Sequence, residues 1–232
     1  MTYQYYKAID AIAEKITLDK PTHKNMGFVQ LHGTAISLRN SIEALGTLYS
    51  HPNPLETSDA HIKRVAKAAG QLSEKVTQTN EAIIRISQQG LKEIDERIRQ
   101  KVNLEPNGYA PEIRQAFRAM KPAEQIKLLH QLADENRGAE LGAIVNAPAL
   151  LTGIKPELQT KYTDYIISKH APEEYQEKKA FADSIETAFI AADVGKTVVA
   201  EYSDSAKLTE IEKKEAASNQ ANFEFSNSLI NA

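Results

Sequence analysis

Apolar and small residues recur along this chain at steps of three and four, the spacing of one helix face. The longest such run begins after Thr57-Ser58-Asp59, residue types that cap helix N-termini, and continues to Val102. Ile62, Val65, Ala69, Leu72, Val76, Thr79, Ile83 and Ile86 form its first seam, and the alternation of three and four is a heptad. Beyond Ile83 a second seam takes over through Ser87, Leu91, Ile94, Ile98 and Val102. Its steps are four, four, three, four and four, a stutter that locally unwinds a left-handed supercoil. The opposite face carries Lys63, Lys67 and three acid-before-base pairs four apart: Glu81–Arg85, Glu93–Arg97 and Asp95–Arg99. Roughly 45 residues at 1.5 Å each predict a helix of about 65–70 Å. Its stripe is aliphatic, because no aromatic residue occurs between Tyr49 and Tyr109. A long helix with a narrow aliphatic stripe needs a partner, either another copy or the rest of the chain. The residues expected to pack are Ile62, Val65, Leu72, Val76, Ile83, Leu91, Ile94 and Ile98.

Proline divides the remainder. Residues 55–105 and those after Pro172 hold none, so only there can long helices run unbroken. Before the long helix, residues 1–54 read as a helical hairpin. Ile9, Ile12, Ala13 and Ile16 make one face, Lys20-Pro21-Thr22 a break, and Phe28, Leu31, Ile42, Leu45 and Tyr49 a second face weakened by Gly33 and Gly46. After it, residues 106–217 read as a bundle of shorter helices. Four begin alike, at Pro111-Glu112, Pro122-Ala-Glu124, Pro156-Glu157 and Pro172-Glu173: proline in the first turn, then a carboxylate at the positive end of the helix dipole. Core candidates there are Ile113, Phe117, Ile126, Leu129, Leu132, Leu141, Ile144, Leu150, Leu158, Tyr162 and Ile166. Further helices are expected over Pro172 to Tyr202 and Ala206 to Ala217, with 218–232 a polar tail that either orders on a neighbouring subunit or frays. The fold class is all-α: a long amphipathic, coiled-coil-like helix with an N-terminal hairpin and a C-terminal bundle.

Composition narrows the function more than it defines it. The chain has 232 residues, of which 41% are hydrophobic, with no Trp and a net charge of −3. That is enough apolar material for a core, and it gives no global pull toward nucleic acid or acidic membranes. The absence of Cys removes disulfides, thiolate catalysis and Cys-based zinc sites, and fits a reducing cytoplasm or a particle assembled there. The N-terminus lacks the pattern of a signal peptide, and the longest uncharged stretches fall short of a membrane span.

Candidate chemistry is sparse. Gly195-Lys196-Thr197 matches the end of a phosphate-binding loop, but Ile190 stands where the motif requires its first glycine and the preceding residues read as helix. The six histidines hold no helical ligand pair, although His51 and His61 flank a proline-rich turn. Asp134 to Glu140 gathers carboxylates around Gly138 without the alternating ligands of a calcium loop. No nucleophile elbow or acid pair in an apolar setting is present, so no enzyme, metal or cofactor is expected. Lys63, Arg64 and Lys67 cluster at the head of the long helix, while Arg114, Arg118 and Lys121 line one helical face and are candidate phosphate contacts. Interspersed acids favour a solvated face over nucleic acid at both.

The block Glu112-Ile-Arg-Gln-Ala-Phe-Arg-Ala-Met-Lys-Pro-Ala-Glu124, followed by Leu141-Gly-Ala-Ile-Val-Asn-Ala-Pro-Ala-Leu-Leu-Thr-Gly153, resembles a stretch of bacteriophage and prophage proteins of uncharacterised role. Those carry a similar helix, an Ala-Pro turn and a Leu-Ser/Thr-Gly step. The resemblance covers about a quarter of the chain and implies a phage setting, with no functional residue carried over. The expectation is a non-enzymatic assembly protein of a virion, found in a bacterial cytoplasm or the particle, that oligomerises or packs on other structural proteins through its long helix. The alternatives are a nucleic-acid-associated helical protein and a small helical regulator that binds a host protein.

Overall fold

The computed structural model describes residues 26–203 and 205–230, and the expected first helix through Ile9 and Ile16 lies outside them. The chain is all-α, and no strand occurs among the described residues. Its helices are α1 (Met26–Ser50), α2 (Ser58–Lys101), α3 (Ala110–Ala119), α4 (Pro122–Asp134), α5 (Gly138–Val145), α6 (Ala149–Thr152), α7 (Pro156–His170), α8 (Pro172–Tyr202) and α9 (Ser205–Ile230). α1 runs unbroken through Gly33 and Gly46. Each glycine costs about 1 kcal/mol in a helix interior, and the buried heptad of Phe28, Leu31, Ala35, Leu38, Ile42 and Leu45 outweighs that. The four proline starts hold: Pro111 lies in the first turn of α3, and Pro122, Pro156 and Pro172 open α4, α7 and α8. The expected polar tail departs from expectation, because helix α9 continues through 218–230. No proline or glycine follows Gly195 to stop it.

The helices form two compact units. Among the described residues their boundaries fall at Phe28/Val29, Arg85/Ile86 and Ser184/Ile185, inside α1, α2 and α8, rather than at the expected linkers near 54 and 105. The long helix therefore belongs to both units instead of standing as a segment of its own.

The first unit holds Val29–Arg85 and 185–230 of the described residues. Its core joins Leu31, Leu38, Ile42 and Leu45 of α1, Val65, Leu72, Val76 and Ile83 of α2, and Ala188, Ala191, Ala192 and Val198 of α8. The small residues of α8 let its backbone come close. A Cβ on Gly195 would lie 2.8 Å from Val76 Cγ2 and 3.5 Å from Leu38 Cδ1. Gly195 is thus a packing residue in mid-helix, which accounts for the Gly195-Lys196-Thr197 string without a nucleotide. The α1–α2 turn is closed locally. Asn53 Oδ1 accepts from the Leu55 N–H at 3.0 Å, and Thr57 Oγ1 accepts from the Ala60 N–H at 3.2 Å as the N-cap of α2.

The second unit holds 26–28 and Ile86–Ser184 of the described residues. Phe117, Leu129, Leu132, Leu141, Ile144, Tyr162 and Ile166 build its core with Val102. Phe28 meets Phe181 edge-on, with ring centroids 5.0 Å apart. α5 lies against the extended chain that leaves α2, where Gly138 and Gly142 face the backbone of Asn103 and Leu104 at distances that exclude any Cβ. Two expected core residues are on the surface: Ile126 is 46% exposed and Leu150 is 86% exposed. Leu150 sits on the four-residue α6, which ends at Gly153 in the left-handed region (φ 74°) and is too short to bury both of its leucines.

Candidate interaction surfaces

The seam of α2 is spent inside the chain. Val65, Leu72, Val76 and Ile83 are buried in the first unit, and Ile94 and Ile98 in the second. Ile62 and Leu91 are half-buried. After Ile83 the buried positions are Ile86, Ser87, Gly90, Ile94 and Ile98, so Gly90 takes the core position expected of Leu91. The boundary at Arg85/Ile86 falls within the window of the register shift. The helix changes its intramolecular partners there, which gives the stutter a physical purpose.

The charges of α2 also find other partners than the expected ones. Asp95 does not pair with Arg99; it accepts from Lys178 Nζ at 2.7 Å. Arg97 does not pair with Glu93; its Nη2 lies 2.5 Å from Glu177 Oε2. Lys101 Nζ donates to Glu174 at 2.8 Å. Arg99 turns to Glu96 and Glu105. A pair within one helix contributes only a few tenths of a kcal/mol, so a carboxylate on a packed neighbour takes the cation. Glu174 and Glu177 are buried on α8, at 5% and 7% exposure. The Glu174 carboxyl is pushed up by burial, and the Lys101 hydrogen bond and the backbone at the start of α8 more than offset this, leaving it below its ordinary value. Arg97 Nε and Glu177 Oε1 are buried without a hydrogen bond. Together these residues set the register of α8 on α2 in the second unit.

Two histidine sites are structural. His61 Nε2 lies 3.1 Å from the Tyr49 carbonyl and His61 Nδ1 lies 3.1 Å from Arg64 Nη2, so a neutral ring donating from Nε2 satisfies both. Arg64 in turn pairs with Glu56 at 2.9 Å. His51 Nδ1 instead lies 2.9 Å from the Thr47 carbonyl, one turn back on its own helix end. In the carboxylate-rich turn, Asp134 Oδ1 accepts from Tyr165 Oη and Lys169 Nζ, each at 2.7 Å. The Lys169 and Tyr165 hydrogen bonds hold its carboxyl below the usual range. This ties the end of α4 to α7. Among the described residues no cluster of three or more His, Asp or Glu is arranged to hold a metal ion.

The basic stripe opens onto a groove. Pro111, Arg114, Gln115, Arg118 and Ala119 of α3 fall at i, i+3, i+4, i+7 and i+8, one helix face. With Leu151 of α6 opposite, they line a groove of about 490 Å³. Arg114 is half-buried and braced by a 3.4 Å hydrogen bond from Nη1 to the Ala143 carbonyl, while Arg118 is exposed. Lys121 does not join them in the groove; it caps α4, where its backbone N–H donates to Glu124 at 3.0 Å. Leu151, the leucine beside the arginines, carries no signal in the sequence that sets it apart from Leu150, which reads as core.

α9 supplies the other surface. Ile211, 4% exposed, and an ion pair between Lys63 and Glu215 hold its first half to the first unit. From Glu212 to Ser226 every residue is exposed, including Phe223 at 62%. Gln220, Phe223 and Glu224 share one face, where Gln220 Nε2 donates to Glu224 at 2.7 Å.

No protein family, curated protein or solved structure matches the chain. No helix of the described residues is long and apolar enough to cross a membrane.

Proposed function

We propose that the protein is a non-enzymatic structural or assembly protein, a component of a bacteriophage particle that associates with itself or with other structural proteins. The carrying observation is the outer half of α9: fifteen consecutive exposed residues in helical form, with Phe223 at the surface. A helical stretch whose side chains stay this exposed gains little from its own backbone, and docking on a partner would stabilise it. The Arg114–Leu151 groove is a second such surface. The seam of α2, being core, serves architecture in this reading and leaves association to these exposed features. The phage setting rests on the resemblance of Glu112–Glu124 and Leu141–Gly153, and with it goes the proposed location in a bacterial cytoplasm and the virion.

Light scattering coupled to size exclusion on the purified chain tests this reading, together with mass spectrometry of purified particles. A mass above that of one chain, or recovery of the protein in particles, supports it. A strict monomer found in no particle contradicts it. Nucleic-acid association is the second reading, supported by Arg114 and Arg118. Its signature is binding that falls steeply with salt and is lost in Arg114→Glu with Arg118→Glu. Leu151 beside those arginines suits a protein partner better than a phosphate backbone.

A further inference from the structure

We propose that the end of α9 in one copy docks into the Arg114–Arg118 groove of another, with Phe223 entering beside Leu151 and Ala119 and Glu224 meeting the two guanidinium groups. The proposal rests on the assembly reading and names the surfaces that carry it.

The two sides complement each other in shape and charge. The groove is a concave strip with apolar walls, Pro111, Ala119 and Leu151, and two cations on one edge. Arg114 is already oriented by the Ala143 carbonyl, so little side-chain freedom is lost when it binds a carboxylate. On α9, Phe223 and Glu224 are adjacent on the face they share with Gln220, one turn back. Glu224 accepts a single hydrogen bond from Gln220 and keeps lone pairs for an arginine. It is also the only acid beyond Glu215, so the segment presents one negative charge beside one aromatic ring. A second groove between α1 and α2, lined by Ala44, Leu48, Ala68 and Leu72 with Lys75 at its edge, would take an aromatic ring as well. It offers one flexible lysine in place of two arginines, one of them braced, and therefore matches Glu224 less well.

The joined surfaces differ, so the contact is head-to-tail and generates rings or open chains rather than a closed two-fold dimer. A helix end over a groove of this size buries a small area, which places the association in the weak, concentration-dependent range.

Sedimentation velocity of the purified full chain over a concentration series is the test, with circular dichroism to verify that each variant is folded. The expected result is an average mass that rises with concentration. Phe223→Ser and Arg118→Glu should each weaken association by about tenfold or more. Arg118→Glu combined with Glu224→Lys should recover it to within a few-fold. A chain monomeric throughout overturns the proposal, as does association unchanged in folded Arg118→Glu or a charge swap without recovery. Loss in Ala44→Arg with Arg118→Glu behaving as wild type would move the contact to the α1–α2 groove and equally overturn it. Association that survives all these variants removes this contact while leaving the assembly reading in place. A monomer that is also missing from particles removes both.

Discussion

Gly142 lies so close to the Leu104 carbonyl oxygen that its α-carbon has no room for a methyl group. One turn earlier Gly138 stands in the same relation to Asn103. The two glycines give α5 a bare face four residues long. The chain leaving α2 lies along it, and its carbonyls are taken up by side chains. Asn146 Nδ2 donates to Leu104 at 2.9 Å and Asn136 Nδ2 donates to Lys101 at 3.2 Å. Gly142→Ala must push backbone against backbone, at an expected cost of about 1–3 kcal/mol. Gly70→Ala, on an exposed face of α2 with nothing within 4 Å of the new methyl, should instead stabilise by about 0.5–1 kcal/mol. Urea denaturation of the two variants measures both signs. A neutral Gly142→Ala would contradict the close approach.

Arg97 and Glu177 make a pair in which removal of one partner hurts more than removal of both. Glu177→Ala leaves the partly buried guanidinium without its counter-ion, and losses of about 3–5 kcal/mol are typical of such a change. Arg97→Met with Glu177→Leu removes the charge and fills the space, so the double variant should be within about 1 kcal/mol of wild type or above it. A double-mutant cycle reads the coupling directly. Additive losses would show that the pair is not coupled.

Much of this fold is legible in the sequence because its signals are local. Proline at 111, 122, 156 and 172 marks helix starts, and the three-four seam of α2 marks its core face. What escaped depends on tertiary contacts. Leu91 and Gly90 are neighbours, and only the packing around the turn decides that the glycine goes inside. Arg97 has an acid four residues before it in Glu93, and nothing in the string says that Glu177, eighty positions on, is nearer. Leu150 reads as core until α6 proves to be a single turn. The candidate surfaces were half visible: Arg114 and Arg118 announced themselves by spacing, while Leu151 and Phe223 matter because they are left uncovered, a property no residue carries in its own letter.

Leu72 and Ile83 put the seam to a direct trial. Both are buried in the first unit, so a carboxylate at Ile83 is cut off from water and one at Leu72 is largely desolvated beside the groove that Lys75 edges. Leu72→Asp with Ile83→Asp is expected to cost more than about 4 kcal/mol and to unfold the first unit. Circular dichroism and thermal melting would record lost helix. A double variant that stays fully helical but merely dissociates would mean that the seam faces a neighbour.

Glu174 gives the second unit a dependence on acid. Its ordinary value is 4.5; burial raises it, and the Lys101 hydrogen bond and the backbone at the start of α8 bring it below that value. A carboxyl lowered in the folded state stabilises fully above its unfolded pKa, and the contribution fades as pH falls through the lower folded value. Wild type should therefore exceed Glu174→Gln in stability at neutral pH, with the gap closing below pH 4.5. Urea denaturation across a pH series follows the gap. A gap that stays constant in acid would assign the difference to packing alone.

Ile211 is buried at 4% exposure, the only α9 side chain so buried among the described residues, and the Lys63–Glu215 ion pair lies one turn beyond it. An exposed ion pair contributes at most about 1 kcal/mol, so Ile211 is the stronger of these two attachments. From Glu212 to Ser226 no side chain is buried, so the backbone hydrogen bonds there have little packing behind them and their opening free energy should be low. Hydrogen exchange by mass spectrometry is expected to divide α9 in two, with protection over 205–215 and fast exchange over 216–230. Ile211→Ala removes about 2–5 kcal/mol of packing, more than the Lys63–Glu215 pair supplies, so protection over 205–215 should fall sharply while the cores of both units keep theirs. In wild type, protection over 216–230 should grow with protein concentration, because docking on a neighbour is what orders that half. Equal protection along the whole of α9 in dilute solution would show that the outer half has an intramolecular cover, and its exposed face would then no longer point to a partner.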